Sequence, residues 1–280
     1  MAVGMRLAAI GAPVRAEFRK VASTKLWWGL LIPVALLSSM INMFGGVFTA
    51  AFPESERLPL LLGSVAYSLG LTSVFAAVHG VVAAAGEYRH RTITTTYLTT
   101  RGRAPVLAAK MLVSAGVGAC YAAVTVVTGM LAGAAADGGA AFPGVGPLAA
   151  TALIGVAVSA LWGALGAAFG TAVSNQVSAL VALLLYLMVG ELLIGALLEA
   201  AESGTLRALS SYLPGNAGEV AIYGIPANEI AGPVTAPQVV ELLAGVTDPP
   251  GWGVALLVVA FWTAAVGAAG WLVAARRDIT

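Results

Sequence analysis

The residues that most often carry out chemistry in proteins are few and scattered in this sequence. The only histidines are His79 and His90, and the single cysteine is Cys120. None of them has the His, Cys or carboxylate neighbours that a metal site requires. The lysines belong to no G-x-x-x-x-G-K-[ST] phosphate loop, and no hydrolase motif is present. The sequence therefore predicts that this chain has no catalytic residues and holds neither a metal nor a nucleotide.

Glu191 is the one carboxylate that is predicted to lie deep in an apolar segment. An intramembrane carboxylate is costly and usually faces the protein interior. Two interpretations remain open: Glu191 forms part of a substrate path, or it is a protonated or hydrogen-bonded packing residue. Trp162, Phe169 and Tyr186 would suit a hydrophobic substrate along the same path, although they would also serve as packing residues. His79 is interpreted as a packing residue.

The composition defines the elements that must position these side chains. Apolar residues make up 59% of the 280 residues and charged residues only 10%, against roughly 25% charged residues in soluble proteins. A membrane span needs roughly 20 apolar residues. Six stretches qualify, which predicts an all-α polytopic membrane protein: Leu26–Phe52, Leu58–Ala85, Pro105–Ala136, Pro147–Val173, Val177–Leu198 and Trp252–Ala275.

The distribution of basic residues predicts the orientation, because Lys and Arg are retained on the cytoplasmic side. Basic clusters precede span one, flank the link between spans two and three, and follow span six. Of the 14 Lys and Arg residues, only Arg57 and Arg207 then fall outside. The chain is therefore predicted to have both termini in the cytoplasm. Nothing in this pattern indicates a nucleic-acid partner.

The region before span one, residues 1–25, is predicted to form a cytoplasmic interfacial helix. A helix over residues 13–26 would place Phe18 near its apolar face, and Arg15, Arg19 and Lys20 towards the other. A basic amphipathic helix of this kind lies along a membrane surface. The alternative is a solvated tail whose charges only determine topology.

The link between spans two and three, residues 86–104, is the most polar stretch of the chain. A helix here would place His90, Ile93 and Tyr97 near one face, and would allow Glu87 and Arg91 to pair at a spacing of four residues. Because threonines are poor helix formers, a short helix that ends around residues 99–102 is expected. The link is either a loop kept inside by its arginines or a docking element for a cytoplasmic partner.

The region between spans five and six, residues 200–251, is predicted to be extracellular. It is too apolar for a solvated loop, and its many prolines and glycines favour short outer helices. Pro237 to Gly245 fits a short helix with Pro at its start and Gly at its end. Within the spans, glycine pairs such as Gly129/Gly133 and Gly166/Gly170 would allow close helix packing, within the chain or between subunits.

Three segments resemble the ABC-2 type permeases, which are transmembrane subunits of bacterial ABC exporters. The link residues Glu87-Tyr88-Arg89-His90-Arg91-Thr92-Ile93, with Leu98 and Arg103, are similar to the segment between spans two and three in that family. The segment from Arg15 to Trp28 resembles its N-terminal interfacial helix. Leu213-Pro214-Gly215-Asn216-Ala217-Gly218 resembles a stretch after span five, where that family has short outer helices. The chain departs from the family at His90 or Arg91, where members often have Gly.

The resemblance implies a permease in the bacterial plasma membrane that moves its substrate outward. The apolar path residues, rather than the family, favour a hydrophobic or amphipathic substrate. Its partners would be a second permease copy, or a similar permease, and a separate P-loop ATPase subunit that carries ATP and Mg. A short coupling helix in the link would dock into that ATPase. Carried over to this chain, the coupling contacts would be the following residues: Glu87, Tyr88, Arg89, Arg91 and Thr92.

Two other classes of protein remain open on the sequence. The first is a secondary transporter or channel, although such a protein would be expected to carry more embedded polar coupling groups. The second is a membrane scaffold or immunity protein that transports nothing. The identity of the substrate is not indicated by any motif.

Overall fold

The computed structural model describes residues 2–51, 60–98, 100, 102–137 and 142–276, with side chains from residue 11 onward. The predicted span limits Phe52 and Leu58, together with Arg57, Arg101 and Arg277, lie outside the described residues. Within those ranges all regular secondary structure is helical. The α-helices are α1 (Ala2–Ser23), α2 (Leu26–Ala50), α3 (Leu60–Arg89), α4 (Ile93–Leu98), α5 (Arg103–Asp137), α6 (Val145–Val173), α7 (Gln176–Leu185), α8 (Glu191–Glu199), α9 (Gly204–Ala208), α10 (Pro214–Ala244) and α11 (Trp252–Arg276).

The prediction of six membrane spans is confirmed. Among the described residues, six helices are long and apolar enough to cross a bilayer: α2, α3, α5, α6, the continuous α7–α8 helix and α11. A π-helical turn, Tyr186–Gly190, joins α7 to α8. The chain is a multi-pass membrane protein, because six of its helices have the length and apolar composition that a bilayer span requires.

The core of the bundle is the contact between α3 and α6, the two most buried spans. Small residues allow their backbones to meet: a Cβ on Gly166 would overlap the Ala77 carbonyl oxygen, and one on Gly170 would lie 2.7 Å from the Val81 carbonyl oxygen. The predicted Gly166/Gly170 spacing therefore serves packing within the chain. Gly129 of α5 likewise faces α2, where an added Cβ would lie 2.6 Å from the Asn42 amide nitrogen.

We expect Gly166→Ala to lower the free energy of unfolding by about 2 kcal/mol, because the new methyl group must push two helix backbones apart. Gly146→Ala, in the same helix but with open space around it, is the matched control and should cost nothing measurable. Unfolding in mixed micelles measures both. Equal stability of the two variants would contradict the α3–α6 packing.

Uncharged polar side chains join the first three spans. The Asn42 amide nitrogen donates to Ser68 Oγ at 3.0 Å, and Ser64 Oγ donates to Asn42 Oδ1 at 2.8 Å. Thr72 and Thr125 share a hydrogen bond of 2.7 Å between their hydroxyls. Such bonds stabilise helix association in a membrane. They hold α2 and α5 against α3.

The region between the last two spans forms helices, but with different limits from those predicted. The helix that ends at Gly245 (φ 62°) does not begin at Pro237: α10 starts at Pro214 and is kinked at Gly232 (φ 76°, ψ 165°). Both glycines adopt backbone angles that side chains disfavour. Pro237 is accommodated inside the second half of α10 because Pro233 and Gly232 already interrupt the helix one turn earlier.

Both described ends of the chain lie at one end of the bundle. Lys20 of α1 contacts Glu87 at the end of α3, and Arg103 at the start of α5 donates to the carbonyl oxygens of Ala274 and Ala275. The arginine thus caps the last turn of α11, where free carbonyls favour a cation. We call this end the ion-pair end.

Candidate functional site

Two lysines and two glutamates form one ion-pair cluster (Glu17, Lys20, Glu87 and Lys110) at the ion-pair end. Lys110 Nζ lies 2.6 Å from Glu87 Oε1 and 3.0 Å from Glu17 Oε2. Lys20 Nζ lies 2.6 Å from Glu17 Oε1 and 2.8 Å from Glu87 Oε1. Each charge therefore faces two opposite charges, and the cluster is neutral as a whole.

The cluster joins three helices, and a hydroxyl on a fourth helix, α4, also contacts it. Glu17 and Lys20 come from α1, Glu87 from α3 and Lys110 from α5. The hydroxyl of Thr96 on α4 completes it, accepting from Lys20 Nζ at 3.1 Å and donating to Glu87 Oε2 at 3.3 Å. Lys110 is 4% exposed and Glu17 is 7% exposed. Charges at this depth persist only when they are paired and hydrogen-bonded.

Lys20 lies at the solvent edge of the cluster, and its pKa follows from two opposing effects. Burial disfavours the charged form, but the hydrogen bonds and charges of Glu17 and Glu87 outweigh burial and raise the pKa of Lys20. A raised lysine pKa stabilises the fold fully below the ordinary value of 10.5 and loses that contribution as the pH rises through the folded-state value. The stabilising contribution of Lys20 is therefore present across the physiological pH range.

A second set of contacts holds α4 through Tyr97, the residue after Thr96. The Tyr88 and Tyr97 hydroxyls lie 3.2 Å apart, and the Arg103 guanidinium lies 5.6 Å from the centre of the Tyr97 ring. Burial, with the hydrogen bond to Tyr88, raises the pKa of Tyr97, which stays a neutral phenol. Ile93 at the start of α4 is buried. The short helix is thus anchored at its first turn and along one side.

The opposite side of α4 faces outward. Leu98 is 82% exposed, and Arg91, Thr92 and Thr94 are also exposed. Arg91 has a φ of 56°, in the left-handed region that favours glycine. The outward surface of α4 therefore carries one apolar side chain, Leu98, among polar ones.

The structure separates the five predicted coupling residues into two groups. Arg91 and Thr92 are on the exposed surface beside α4, as a contact residue requires. Glu87 is not on this exposed surface, because its carboxylate is enclosed by Lys20 and Lys110. The predicted Glu87–Arg91 pairing is wrong for the same reason, since α3 ends at Arg89 and the backbone turns away before Arg91.

The other two predicted coupling residues also serve internal contacts. Tyr88 hydrogen-bonds Tyr97, and Arg89 donates to the Gln176 side chain at 3.4 Å, joining the end of α3 to the start of α7. His90, Ile93 and Tyr97 do not share one helical face, because residues 90–92 separate α3 from α4. Ile93 and the Tyr88–Tyr97 hydrogen bond hold α4 in place. Other side chains form the outer surface of this helix.

On the predicted interfacial helix, Arg15, Phe18 and Arg19 are exposed, with Phe18 at 62%. Lys20 instead points inward to the ion-pair cluster. Sequence reasoning missed Glu17 and Lys110 as site residues. The sequence could have indicated Lys110, because a lysine inside an apolar span needs a buried acidic partner. Glu87, which precedes Lys110 by 23 residues, is the nearest acidic residue in the sequence.

Glu191 lies at the opposite end of the bundle and is 6% exposed. Its Oε1 accepts from the Gly215 backbone N–H at 2.7 Å and its Oε2 from the Asn216 N–H at 3.0 Å. The Tyr186 side chain, from the π-helical turn, also hydrogen-bonds it. The carboxylate therefore caps the N-terminus of α10, where free N–H groups and the helix dipole favour an anion.

This cap gives a physical reason for the motif Leu213-Pro214-Gly215-Asn216-Ala217-Gly218. Pro214 occupies the first helical position, where a missing N–H costs nothing. A Cβ on Gly215 would collide with the Glu191 carboxylate, and one on Gly218 would lie 3.1 Å from Trp162 Nε1. The two glycines thus let α10 approach α8 and α6 closely.

A cavity of about 430 Å³ lies beside this cap. Of the four predicted path residues, Trp162 and Glu191 line it, whereas Phe169 and Tyr186 do not. Phe169 is partly buried against the hydrophobic core. The structure therefore places two of the four in the cavity wall, and Tyr186 contacts Glu191 without lining the cavity. Glu219 and Asn216 from α10 line the same cavity.

Among the described residues, no three His, Cys, Asp or Glu side chains meet in an arrangement that would bind a metal. A scan of protein-family models finds none that matches this chain. A search of curated proteins finds no significant match either. Inferences about function therefore rest on the residues and contacts described above.

Proposed function

We propose that this chain is the membrane-spanning permease subunit of an ATP-driven ABC transporter of the ABC-2 type. A separate P-loop ATPase subunit would supply the energy by binding ATP and Mg. The chain would pair with a second copy, or with a similar permease, in the bacterial plasma membrane. The ion-pair end would face the cytoplasm, and a hydrophobic or amphipathic substrate would move outward.

The observation that carries this proposal is the way in which α4 is held. The ion-pair cluster joins α4 to α1, α3 and α5 through Thr96, Glu87, Lys20 and Lys110. A force on the exposed Leu98 side would therefore be transmitted to two spans and to the N-terminal helix. A short loop held only to determine topology would not need buried charges at its base, because burying them is expensive.

The charge distribution favours an external source of energy over ion coupling. Away from the ion-pair cluster, the hydrogen bonds that join α2, α3 and α5 are made by uncharged side chains: Asn42, Ser64, Ser68, Thr72 and Thr125. The buried Glu191 is occupied by the N-terminus of α10. Ion-coupled transporters instead bind their ion at such groups near the bilayer midplane.

The test is to purify the tagged full-length chain from its host membranes and to measure the MgATP hydrolysis that co-purifies with it. We expect Leu98→Asp to reduce this activity and the amount of bound ATPase at least tenfold, because a carboxylate replaces an apolar contact at an interface. Leu98→Ile, which keeps the apolar surface, is the matched control and should retain both.

Two results would contradict the proposal. One is a purified chain that moves substrate along an ion gradient without ATP, which would indicate a secondary transporter. The other is an ATPase that co-purifies equally with wild type and Leu98→Asp, which would remove α4 from the interface. A chain that binds no ATPase at all would favour a scaffold or immunity protein.

A further inference from the structure

A cavity of about 640 Å³ lies between α1 and α5, where the first membrane span begins. Trp27, the second residue of that span, forms part of its wall, which places the cavity at the membrane boundary. On α5 the wall extends from Leu112 to Cys120, about 12 Å along the helix axis. The hydrocarbon core of a bilayer is roughly 30 Å thick, so the cavity matches the depth of one leaflet.

The α5 wall of this cavity belongs to a face of the helix that meets lipid. Leu112 is 57% exposed, and Gly116 and Cys120 are exposed as well. Exposed residues continue towards the far end of α5 at Val127 and Leu131, at the four- and seven-residue spacings of one helical face. A molecule from the surrounding bilayer can therefore enter the cavity from the side.

Most of the cavity wall is apolar, with side chains such as Val14 of α1 and Val117 of α5. The hydroxyl of Tyr121 is already used, because it donates to the Trp27 carbonyl oxygen at 2.6 Å. A Cβ added to Gly116 would meet no atom within 4 Å, so open space lies in front of this glycine. Such a wall suits an alkyl chain and offers few partners to the backbone amides of a peptide.

Arg15 is the one charged residue in the cavity wall among the described residues. It is exposed, and no described carboxylate forms an ion pair with it. Glu17, the nearest acidic residue in the sequence, is held by Lys20 and Lys110. The guanidinium thus lies at the ion-pair end of an apolar cavity, close to the level of the lipid headgroups. A free guanidinium matches a phosphate group, which it binds through two parallel hydrogen bonds.

We propose that this cavity binds one anionic phospholipid of the adjoining leaflet, with its phosphate on Arg15 and an acyl chain along α5 towards Cys120. Two further exposed basic residues, Arg19 and Lys25, lie in the same region of the chain, so the local charge favours an anionic headgroup over a zwitterionic one. The acyl chain fills the space that the side chains of α1 and α5 leave open. The inference is independent of the proposed function, because it requires neither an ATPase nor a transported substrate.

The experiment uses the purified full chain, without any ATPase, in phosphatidylcholine nanodiscs that contain a trace of photoreactive lipid. The probe is phosphatidylglycerol with a diazirine in one acyl chain, and mass spectrometry locates the cross-links after illumination. Matched probes are phosphatidylcholine and diacylglycerol with the same chains. We expect phosphatidylglycerol to label residues 112–120 about fivefold more than either matched probe, the ratio that the attraction of one basic residue gives. Unlabelled phosphatidylglycerol should compete for this labelling.

Two pairs of variants test the guanidinium and the cavity separately. Arg15→Gln should lower labelling by phosphatidylglycerol about fivefold, to the level of the phosphatidylcholine probe. Arg19→Gln removes an exposed charge from the same helix outside the cavity wall, and should stay within about twofold of wild type. Gly116→Leu should remove the preference for phosphatidylglycerol, because the leucine side chain occupies the open space. Gly29→Leu, also at a glycine with open space but outside this cavity, should preserve the preference.

Four outcomes would overturn the inference. Equal labelling by the phosphatidylglycerol and phosphatidylcholine probes would show that the cavity does not select an anionic lipid. Equal effects of Arg15→Gln and Arg19→Gln would show that the basic helix as a whole attracts the lipid. An unchanged preference in Gly116→Leu would place the lipid outside the cavity. Cross-links between two chains at residues 112–120, in place of lipid labelling, would show that a second copy covers the cavity. Each result is the same whether or not the chain binds an ATPase, so the inference and the proposed function fail separately.

Discussion

Lys110→Met should lower the free energy of unfolding by about 3–5 kcal/mol, the usual cost of removing one partner from a buried ion pair. The variant leaves Glu17 and Glu87 with Lys20 as their only cation, and Lys20 lies at the solvent edge. Two carboxylates then share one ammonium in a partly buried site. Unfolding in mixed detergent micelles, followed by circular dichroism, measures the loss.

Lys25→Met is the control, because Lys25 is an exposed basic residue at the same end of the bundle; it should change stability by less than about 0.5 kcal/mol. The double variant Lys110→Met/Glu87→Gln removes one charge of each sign. It should be more stable than Lys110→Met alone, since the remaining Glu17–Lys20 pair is balanced. A loss below about 1 kcal/mol for Lys110→Met is typical of surface pairs and would contradict a buried cluster.

Glu191→Leu should lower the free energy of unfolding by about 2–4 kcal/mol. The reason is that the backbone N–H groups of Gly215 and Asn216 lose their acceptor in a buried position, where each unsatisfied donor costs about 1–3 kcal/mol. The first turn of α10 should then open locally. Hydrogen–deuterium exchange should increase in peptides that contain residues 213–218, and much less elsewhere.

Glu191→Gln is the informative intermediate, because its amide oxygen can still accept one of the two N–H groups; it should lose about half as much stability. Glu202→Gln, at an exposed position nearby, is the control for the removal of a carboxylate and should leave both measurements unchanged. If Glu191→Leu is as stable as wild type, the carboxylate is not the cap of α10. It would then be free to contact substrate, which is the interpretation that the cap now disfavours.

The membrane spans were predictable because they depend on local composition. Each of the six stretches needed only enough consecutive apolar residues to cross a bilayer, and the helices confirm all six. The end of α10 at Gly245 could also be predicted from the local sequence, because a glycine that adopts a φ of 62° ends a helix. The start of that helix could not be predicted locally, because Pro237 lies within a helix that begins at Pro214 and is kinked at Gly232.

The ion-pair cluster shows why site residues are harder to predict than spans. Glu87 was assigned to the surface and to Arg91 by its spacing within one helix. Its actual partners are Lys20 and Lys110, residues that lie 67 and 23 positions away. Which of several possible cations pairs with a carboxylate depends on helix order and rotation in the bundle, and the hydrophobic pattern of a membrane span encodes that rotation weakly.

By itself, the sequence determined the number of spans, the polar link between the second and third, and the absence of a phosphate-loop motif from the chain, because each is a property of consecutive residues. The cytoplasmic placement of both termini stays a prediction from the distribution of basic residues. Only the tertiary structure decided that Glu87 lies inside the ion-pair cluster, that Glu191 caps α10 and that His79 is buried without a hydrogen-bond partner. All three depend on contacts between helices distant in the sequence, where geometry rather than composition selects the partner.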